Sequence, residues 1–261
     1  MNTITENPPL RVDVRNIPYA IDGGVGARLY AGLIVLGMDQ TIEYEFRRIL
    51  SRPGVALHHA RLKTGTYVDE ASLRDCIEGI EATTDLILPG VELDVVAFGC
   101  TSATMVAGEE EVFRRVQLAR PNVQVTTPVT AARAAFEALG MRKLALLTPY
   151  PDDINQGLRA YFMARGLEVP VMGSFNEPDD LKAARIRSDV IRDAAIRLGR
   201  EEDVDGVFVS CTSMRVADVA DEIEAAIGKP VVASNQAMAW HCLRLGGVTE
   251  PIEGFGMLLL T

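Results

Sequence analysis

The chain has 261 residues, of which 48% are hydrophobic and 24% charged, and its formal net charge at pH 7 is −10. This composition is typical of a globular protein long enough for two domains or one large α/β unit. The excess of acidic residues gives no long-range attraction for nucleic acid or an anionic membrane, so neither is expected as a partner. We expect a small-molecule ligand instead.

The N-terminal residues and the cysteines indicate the cell compartment. The first residues lack a basic start followed by an apolar core, and no apolar run reaches transmembrane length, so we expect neither a secretory signal nor a membrane span. The four cysteines form no closely spaced pair, which is typical of a reduced cytoplasmic protein. No tight metal-ligand spacing is present, and we expect no metal site.

Apolar stretches alternate with helical patterns after an N-terminal arm that ends at about Ala27. The predicted strands span residues 32–37, 55–62, 94–99, 123–127, 144–149, 168–174, 206–210 and 230–234. Several of the helical segments between them end at Gly, as helix C-termini often do. Strands that alternate with helices favour parallel sheets with right-handed crossovers, so the predicted fold class is α/β.

An internal repeat with an offset of 111 residues divides the chain into two halves. Asp94 and Asp205 each stand six positions before a Cys-Thr-Ser, which begins at Cys100 in one copy and at Cys211 in the other. We therefore predict two pseudo-symmetric Rossmann-like domains with parallel sheets and an active site in the cleft between them. The predicted boundaries are an arm over 1–27, an N-terminal domain over 28–127 plus 235–261, and a C-terminal domain over 128–234.

The two repeated cysteines are the candidate catalytic residues. Each follows a predicted strand, and we expect the Thr-Ser after it to open the next helix, so that backbone N–H groups and a helix dipole point into the ligand crevice. This environment lowers a thiol pKa from its free value of about 8.5. The hydroxyl and N–H groups nearby are predicted to hold a substrate carboxylate or a developing enolate charge. They belong to Thr101, Ser102, Thr212 and Ser213.

Two cysteines suit a reaction that takes a proton from one face of a carbon and returns one to the other face. Such a reaction needs acid/base groups on opposite sides of the substrate, one cysteine as thiolate and the other as thiol. Alternatively, each cysteine is a small apolar filler at the end of a buried strand. The repetition of Cys-Thr-Ser in both halves favours chemistry.

Six segments of the chain resemble one enzyme family. They are "GLIVLGMDQTIEYEF", "FGCTS", "LTPYPDDIN", "PDDLKAARI", "VSCTSMR" and "ASNQAMAW". They are similar to the maleate cis–trans isomerase and arylmalonate decarboxylase branch of the aspartate/glutamate racemase superfamily, and within it to the proteins of ectoine utilisation. The resemblance, from about Gly32 to Gly256, implies a two-domain fold, a site at the domain interface, a small homo-oligomer, and chemistry without metal or organic cofactor.

The resemblance also implies roles for single residues. Cys100 and Cys211 match the two cysteines of the racemases and maleate isomerases, whereas the decarboxylase keeps only the second, which argues against simple decarboxylation. Tyr150 matches a tyrosine that helps to hold a substrate carboxylate. Maleate isomerases carry asparagine where this chain has Asp39 and Asp180. An aspartate that faces a dicarboxylate without a counter-charge is repulsive, which argues against maleate as the substrate.

The two aspartates leave two interpretations open. Amino-acid racemases of the superfamily place an acidic residue after their first strand, near the substrate amine, and Asp39 resembles it. In this interpretation Asp39 and Asp180 face the cationic nitrogen of a substrate that also has a carboxylate, such as an amino acid or an ectoine derivative. Gln40 is a further predicted substrate-binding residue. In the other, Asp39 caps the helix that begins near Thr41, and Asp180 likewise starts the helix of "LKAARI".

The predicted function is that of a cofactor-independent racemase or epimerase acting on a small carboxylate. The alternatives are a cis–trans isomerase in which a cysteine adds to a double bond and leaves after rotation, an arylmalonate-type decarboxylase, and a non-catalytic ligand-binding module. Cys76 lies between Asp75 and Glu78 in a helical pattern, and this pattern suggests no chemistry for it.

Overall fold

Eight parallel strands form two sheets in the computed structural model, which describes residues 11–12, 14–64 and 70–261, except for the side chains of 70–73. The first sheet has the order β2-β1-β3-β4 and the second the order β6-β5-β7-β8. The strands are β1 (Leu29–Leu36), β2 (Val55–Leu62), β3 (Val95–Phe98), β4 (Gln124–Thr126), β5 (Lys143–Thr148), β6 (Glu168–Ser174), β7 (Gly206–Val209) and β8 (Val231–Ala233). The α/β fold class with two parallel sheets is confirmed, and all eight predicted strands are present.

Helices connect the strands and cover the sheets. In the first half they are α1 (Ile42–Ile49), α2 (Glu70–Glu78), α3 (Ile80–Asp85), α4 (Thr101–Ala107) and α5 (Glu109–Ala119). In the rest of the described chain they are α6 (Pro128–Ala138), α7 (Asp152–Met163), α8 (Asp180–Ala183), α9 (Ser188–Gly199), α10 (Ala220–Ile227) and α11 (Ser234–Leu245), followed by a 3₁₀ helix over Met257–Leu260. No helix in these described ranges is both long and apolar enough to cross a membrane.

The central strands are covered on both faces. β3 and β7 are buried along their whole length, as expected for parallel strands with helices on either side. In the second half, Phe136, Phe162 and Phe208 pack edge to face with ring centroids 5.3–5.7 Å apart. α11 contacts α1, β3 and β4 as well as α6 and β8, so the C-terminal segment packs on both halves, and the boundaries proposed above stay a prediction.

The acidic residue of each repeat has the same structural role. The Asp94 carboxylate accepts a hydrogen bond from Tyr30 N at 2.7 Å, at the beginning of β1. The Asp205 carboxylate accepts from Arg142 N and Lys143 N, both at 2.7 Å, at the beginning of β5. In each half an aspartate at the start of the strand that leads to a cysteine therefore fixes the neighbouring central strand.

Candidate active site

Cys100 caps the N-terminus of α4, as the sequence predicts. It follows β3 and is 5% exposed, and its sulfur accepts a hydrogen bond from Ala103 N at 3.4 Å and lies 3.7 Å from Ser102 Oγ. The nearby thiol of Cys76 is the first cause of a lowered Cys100 pKa, and the hydrogen bonds from Ala103 N and Ser102 add to it against the opposing effect of burial. The structure therefore favours the thiolate at Cys100.

Cys211 lies in a different backbone environment, and the prediction of a helix opening after it is wrong. The chain turns irregularly from Thr212 to Val219, and α10 begins only at Ala220. Cys211 itself has φ +128°, a strained conformation for a residue with a side chain. Burial, followed by the negative charge of Asp180, raises the pKa of the Cys211 thiol, although Ser213 N donates to its sulfur at 3.4 Å.

A buried carboxylate from the first half explains the irregular segment. Glu45 on α1 accepts hydrogen bonds from Val216 N and Ala217 N, both at 2.8 Å, so these N–H groups are not available to helical carbonyls. Asn235 Nδ2 donates to the other Glu45 oxygen and to Thr212 O, each at 2.8 Å. Burial raises the pKa of Glu45 to about 7.

Sequence reasoning missed Glu45 and Asn235, but one signal for Glu45 was available. Glu45 occupies the same helical face as Ile42, Phe46 and Ile49, and all four are buried. A carboxylate within an apolar stripe is a polar group that needs buried partners. The partners themselves are 171–190 residues away in sequence, so the pattern gives no indication of which they are.

Tyr150 stands between the two cysteines. Its hydroxyl lies near Cys211, Cys100 and Thr101, all of which influence its pKa, and Thr101 Oγ1 has no hydrogen-bond partner of normal geometry among the described residues. Its carbonyl accepts hydrogen bonds from Asn155 Nδ2 at 2.7 Å and from the Ser174 hydroxyl, which fixes the residue after β5. Burial, followed by the charge of Cys211, raises the pKa of Tyr150, so its hydroxyl remains a hydrogen-bond donor.

Asp39 combines a capping role with an open acceptor. Its Oδ1 accepts from Thr41 N at 2.7 Å and Ile42 N at 2.8 Å and so caps α1. Its Oδ2 is buried, faces Thr212, and has no hydrogen-bond partner of normal geometry in the described part of the chain. Burial raises the pKa of Asp39 despite these bonds. One oxygen thus fits the capping interpretation, and the other is left for a ligand.

Asp180 is the first residue of α8, as the second interpretation predicts, but it does not cap the helix. That role belongs to Asp179, whose carboxylate accepts from Leu181 N at 2.9 Å. Burial, followed by the charge of Asp39, raises the pKa of Asp180 to about 6. Asp180 also acts electrostatically on Cys100 and Cys211, so both sulfurs border the region that it faces.

Nearly all of the predicted site residues lie in this region. Thr101, Ser102, Thr212 and Ser213 are buried beside the cysteines, and the Ser213 carbonyl accepts from Thr41 Oγ1 at 3.1 Å. Gln40 is the exception, because its side chain is exposed. Among the described residues no group of three or more His, Cys, Asp or Glu side chains is placed to hold a metal ion.

The fold and the site together define the class of protein. Both parallel-sheet halves contribute cysteines, carboxyl groups and hydroxyl donors to one region, which is the arrangement of an enzyme with cysteine-based catalysis. The family follows from comparison with known proteins. Residues 66–259 match the family model described as arylmalonate decarboxylase. The chain belongs to the arylmalonate decarboxylase family.

Individual relatives are similar to this chain, and a solved structure shares its fold. An arylmalonate decarboxylase of Bordetella bronchiseptica is 33% identical over 135 residues, which are 51% of this chain and 56% of that protein. A maleate isomerase of Nocardia farcinica is 27% identical over 245 residues, 87% of this chain and 94% of that protein. The solved structure of the Nocardia farcinica maleate cis-trans isomerase bound to TRIS superposes with a TM-score of 0.79 at 23% identity, covering 89% of this chain and 98% of that chain.

Proposed function

We propose that the protein is an isomerase, a racemase or epimerase, that uses Cys100 and Cys211 as an acid/base pair on a small carboxylate. One observation carries the proposal: the Cys100 sulfur caps the N-terminus of α4, whereas an irregular segment follows Cys211. In keeping with this difference, the surroundings lower the pKa of the first thiol and raise that of the second. When the surroundings lower the pKa of one group and raise that of its neighbour, the first is expected to act as the base and the second as the acid. Two-base inversion requires this pairing.

The reaction begins with the Cys100 thiolate, which removes the proton from the carbon beside the carboxylate. The C–H bond breaks, an S–H bond forms on Cys100, and the electron pair moves into the carboxylate as an enolate. Hydroxyl donors of Tyr150, Thr101 and Thr212 stabilise this charge. The Cys211 thiol then gives its proton to the opposite face of the carbon and becomes the thiolate, so the configuration is inverted.

The acidic groups of the site support a substrate with a cationic nitrogen. Neither Asp39 nor Asp180 forms an ion pair with the described side chains, and Asp39 Oδ2 has no partner there. The guanidinium of Arg61 donates to the backbone carbonyl of Asp39 and acts on its carboxylate only as a neighbouring charge. A protonated nitrogen would neutralise this pair, whereas the second carboxylate of maleate would add a further negative charge. The substrate class is therefore an amino acid or a cyclic amidine acid, and the resemblance to ectoine utilisation proteins makes an ectoine derivative the first compound to test.

Cis–trans isomerisation is the second candidate. The relative from Nocardia farcinica that covers most of the chain is named a maleate isomerase, and a thiolate at Cys100 is also the group that could add to a double bond. The intermediate would be a thioether, and the carbon–sulfur bond would break again after rotation. Decarboxylation and ligand binding without turnover are the remaining alternatives.

The deciding experiment is a substrate panel in deuterated water. Zwitterionic amino acids, ectoine-derived acids, maleate and an arylmalonate are incubated with the wild type, Cys100→Ala and Cys211→Ala. NMR measures deuterium at the α-carbon, and chiral chromatography measures inversion. We expect the wild type to invert and exchange a zwitterionic acid, and each variant to lose inversion at least a hundredfold, since general acid–base catalysis contributes about 10²- to 10⁴-fold.

The matched control is Cys242→Ala. Cys242 is a fully buried cysteine on α11, outside the site, and its replacement should leave inversion unchanged. Undiminished inversion in Cys100→Ala or Cys211→Ala would contradict the two-base mechanism. Conversion of maleate to fumarate without inversion of any zwitterion would replace the proposal by the second candidate.

A further inference from the structure

Buried hydrogen bonds from α11 hold the loop that carries Cys211. This Cys211 loop, residues 211–219, lies between β7 and α10. The Cys211 N–H donates to Ser234 Oγ at 3.1 Å. The next carbonyl, that of Thr212, accepts from Asn235 Nδ2 at 2.8 Å. Both side chains lie at the beginning of α11, so this helix fixes the backbone on either side of the Cys211 side chain.

Asn235 is itself held by Glu45. Its Nδ2 also donates to one Glu45 oxygen at 2.8 Å, and the other oxygen accepts from Val216 N and Ala217 N. Glu45 and Asn235 are each only 1% exposed. The carboxylate on α1 therefore binds the later part of the Cys211 loop directly and its beginning through the Asn235 amide.

The orientation of the Asn235 amide is fixed by its partners. Its two N–H groups point at acceptors, whereas its Oδ1 is buried without a hydrogen-bond partner among the described residues. If the amide were turned over, this oxygen would face the Glu45 carboxylate and the Thr212 carbonyl, which are acceptors too. Asn235 therefore serves as a double donor, although one of its own polar atoms is left unpaired at a cost.

The backbone of Cys211 needs such support. Its φ is +128°, and a residue with a side chain keeps such a conformation only where its surroundings impose it. Cys100, the equivalent residue of the repeat, has φ −144° and is followed directly by α4. α6 follows β4 as α11 follows β8, but it begins with Pro128 and Val129 in place of a serine and an asparagine. These hydrogen bonds thus accompany the strained cysteine.

We propose that Asn235 is a positioning residue that, together with Glu45, holds the Cys211 loop in the strained conformation that directs the Cys211 sulfur into the site. The catalytic meaning of this inference rests on the function proposed above, in which Cys211 gives a proton to one face of the substrate carbon. Asn235 does not touch the reacting atoms in this scheme. It acts through the backbone of the loop, so a first test needs no substrate.

The first test compares the alkylation of Cys211 with that of Cys242. The folded wild type and Asn235→Ala are treated with iodoacetamide at pH 9, and peptide mass spectrometry follows each cysteine separately. Cys242 is fully buried on α11, the helix of Asn235, so it reports any general loosening of the protein. In the variant we expect Cys211 to react about tenfold faster, because the lost hydrogen bonds let the loop open locally, and Cys242 to keep its rate.

The matched control is Gln236→Ala, which removes another buried amide at the next position of α11. The Gln236 side chain accepts from Ala233 N at 2.9 Å and donates to the Phe255 carbonyl, so its hydrogen bonds do not involve the Cys211 loop. This variant should keep the wild-type ratio of the two alkylation rates. An unchanged Cys211 rate in Asn235→Ala, or an equal rise at Cys211 and Cys242, would overturn the inference.

If Asn235→Ala does not fold, Glu45→Gln supplies the same comparison. Glutamine offers one acceptor oxygen to the three N–H donors that face the Glu45 carboxylate, so at least part of the network is lost. The selective rise at Cys211 should therefore appear in this variant as well. Its absence there would equally contradict the role of the network.

Turnover in deuterated water gives the second readout. Asn235→Ala should lose inversion of a zwitterionic acid by at least about tenfold, because the proton donor at Cys211 is misplaced. Deuterium exchange should persist with the enantiomer whose α-hydrogen faces Cys100. A merely structural role would lower inversion and exchange by the same factor.

The two readouts separate this inference from the proposed reaction. A selective rise in Cys211 alkylation in a protein that inverts no zwitterion would leave the positioning of the loop by Asn235 intact and overturn only the reaction. Inversion by the wild type that Asn235→Ala retains in full would overturn the positioning role and leave the reaction standing.

Discussion

Glu45 is a buried carboxylate that joins the two halves of the molecule. It is 1% exposed, and its partners are the backbone of Val216 and Ala217 and the side chain of Asn235. Burial raises its pKa from 4.5 to about 7 in the folded protein. Between these two pH values the folded state holds a proton that the unfolded state has released, so stability falls as pH rises through this window.

The variant Glu45→Gln should not show this pH-dependent change in stability, because glutamine does not titrate. We expect the unfolding free energy of the wild type, relative to the variant, to fall by on the order of 3 kcal/mol between pH 4.5 and 7 and to stay constant above pH 7. Urea unfolding at a series of pH values measures the difference. Glu137→Gln, at an exposed position of α6, is the control and should show no such trend. Parallel pH profiles for the wild type and Glu45→Gln would contradict the expectation.

In each sheet, an aspartate that precedes one inner strand holds the beginning of the neighbouring inner strand, β1 or β5. The Asp205 carboxylate accepts from two backbone N–H groups at the beginning of β5. Burial opposes its ionisation, but these hydrogen bonds together with the charges of Lys143 and Lys229 leave its pKa lowered. Its stabilising contribution is therefore present above the pKa of the unfolded chain and is lost as pH falls through the lower folded value. Asp94 has the corresponding contact at β1.

Asp205→Ala should lower the unfolding free energy by about 1–3 kcal/mol at pH 7, because two backbone donors lose a charged acceptor. Asp203→Ala is the matched control on the same loop. Asp203 is exposed and makes an ion pair with Lys143, and such surface pairs contribute about 0–1 kcal/mol. Thermal or urea unfolding compares the two variants. Equal losses would mean that Asp205 acts only as a surface charge.

The sequence predicted the elements of the molecule better than the contacts between them. β3 and β7 are short, wholly apolar runs, and Asp94 and Asp205 mark their beginnings, so both the strands and the repeat could be found from pattern alone. Cys100 was correctly placed at a helix N-terminus. These features depend on local residue order, which a sequence displays directly.

The parts that could not be predicted depend on distant partners. The segment after Cys211 has a helix-like opening sequence, but Glu45, more than 160 residues earlier in the chain, takes its backbone donors. Cys76 showed no chemical signal because it joins the buried cluster of Cys100 only when α2 packs against α4. In both cases, side chains that meet only after folding decide the outcome, and one sequence does not record such pairings.

The irregular turn after Cys211, set against the helix after Cys100, makes the two faces of the site unequal before any substrate arrives. In the resting enzyme the proton to be transferred is on Cys211. One enantiomer can therefore react at once, whereas the other can react only after the proton has moved to Cys100. We expect a first-turnover burst only with the enantiomer whose α-hydrogen faces Cys100, as measured by rapid quench with each pure enantiomer. Equal bursts would show that the proton equilibrates between Cys100 and Cys211 faster than the chemical step. A burst with one enantiomer alone would mean that the two halves of a duplicated fold hold different protonation states at rest.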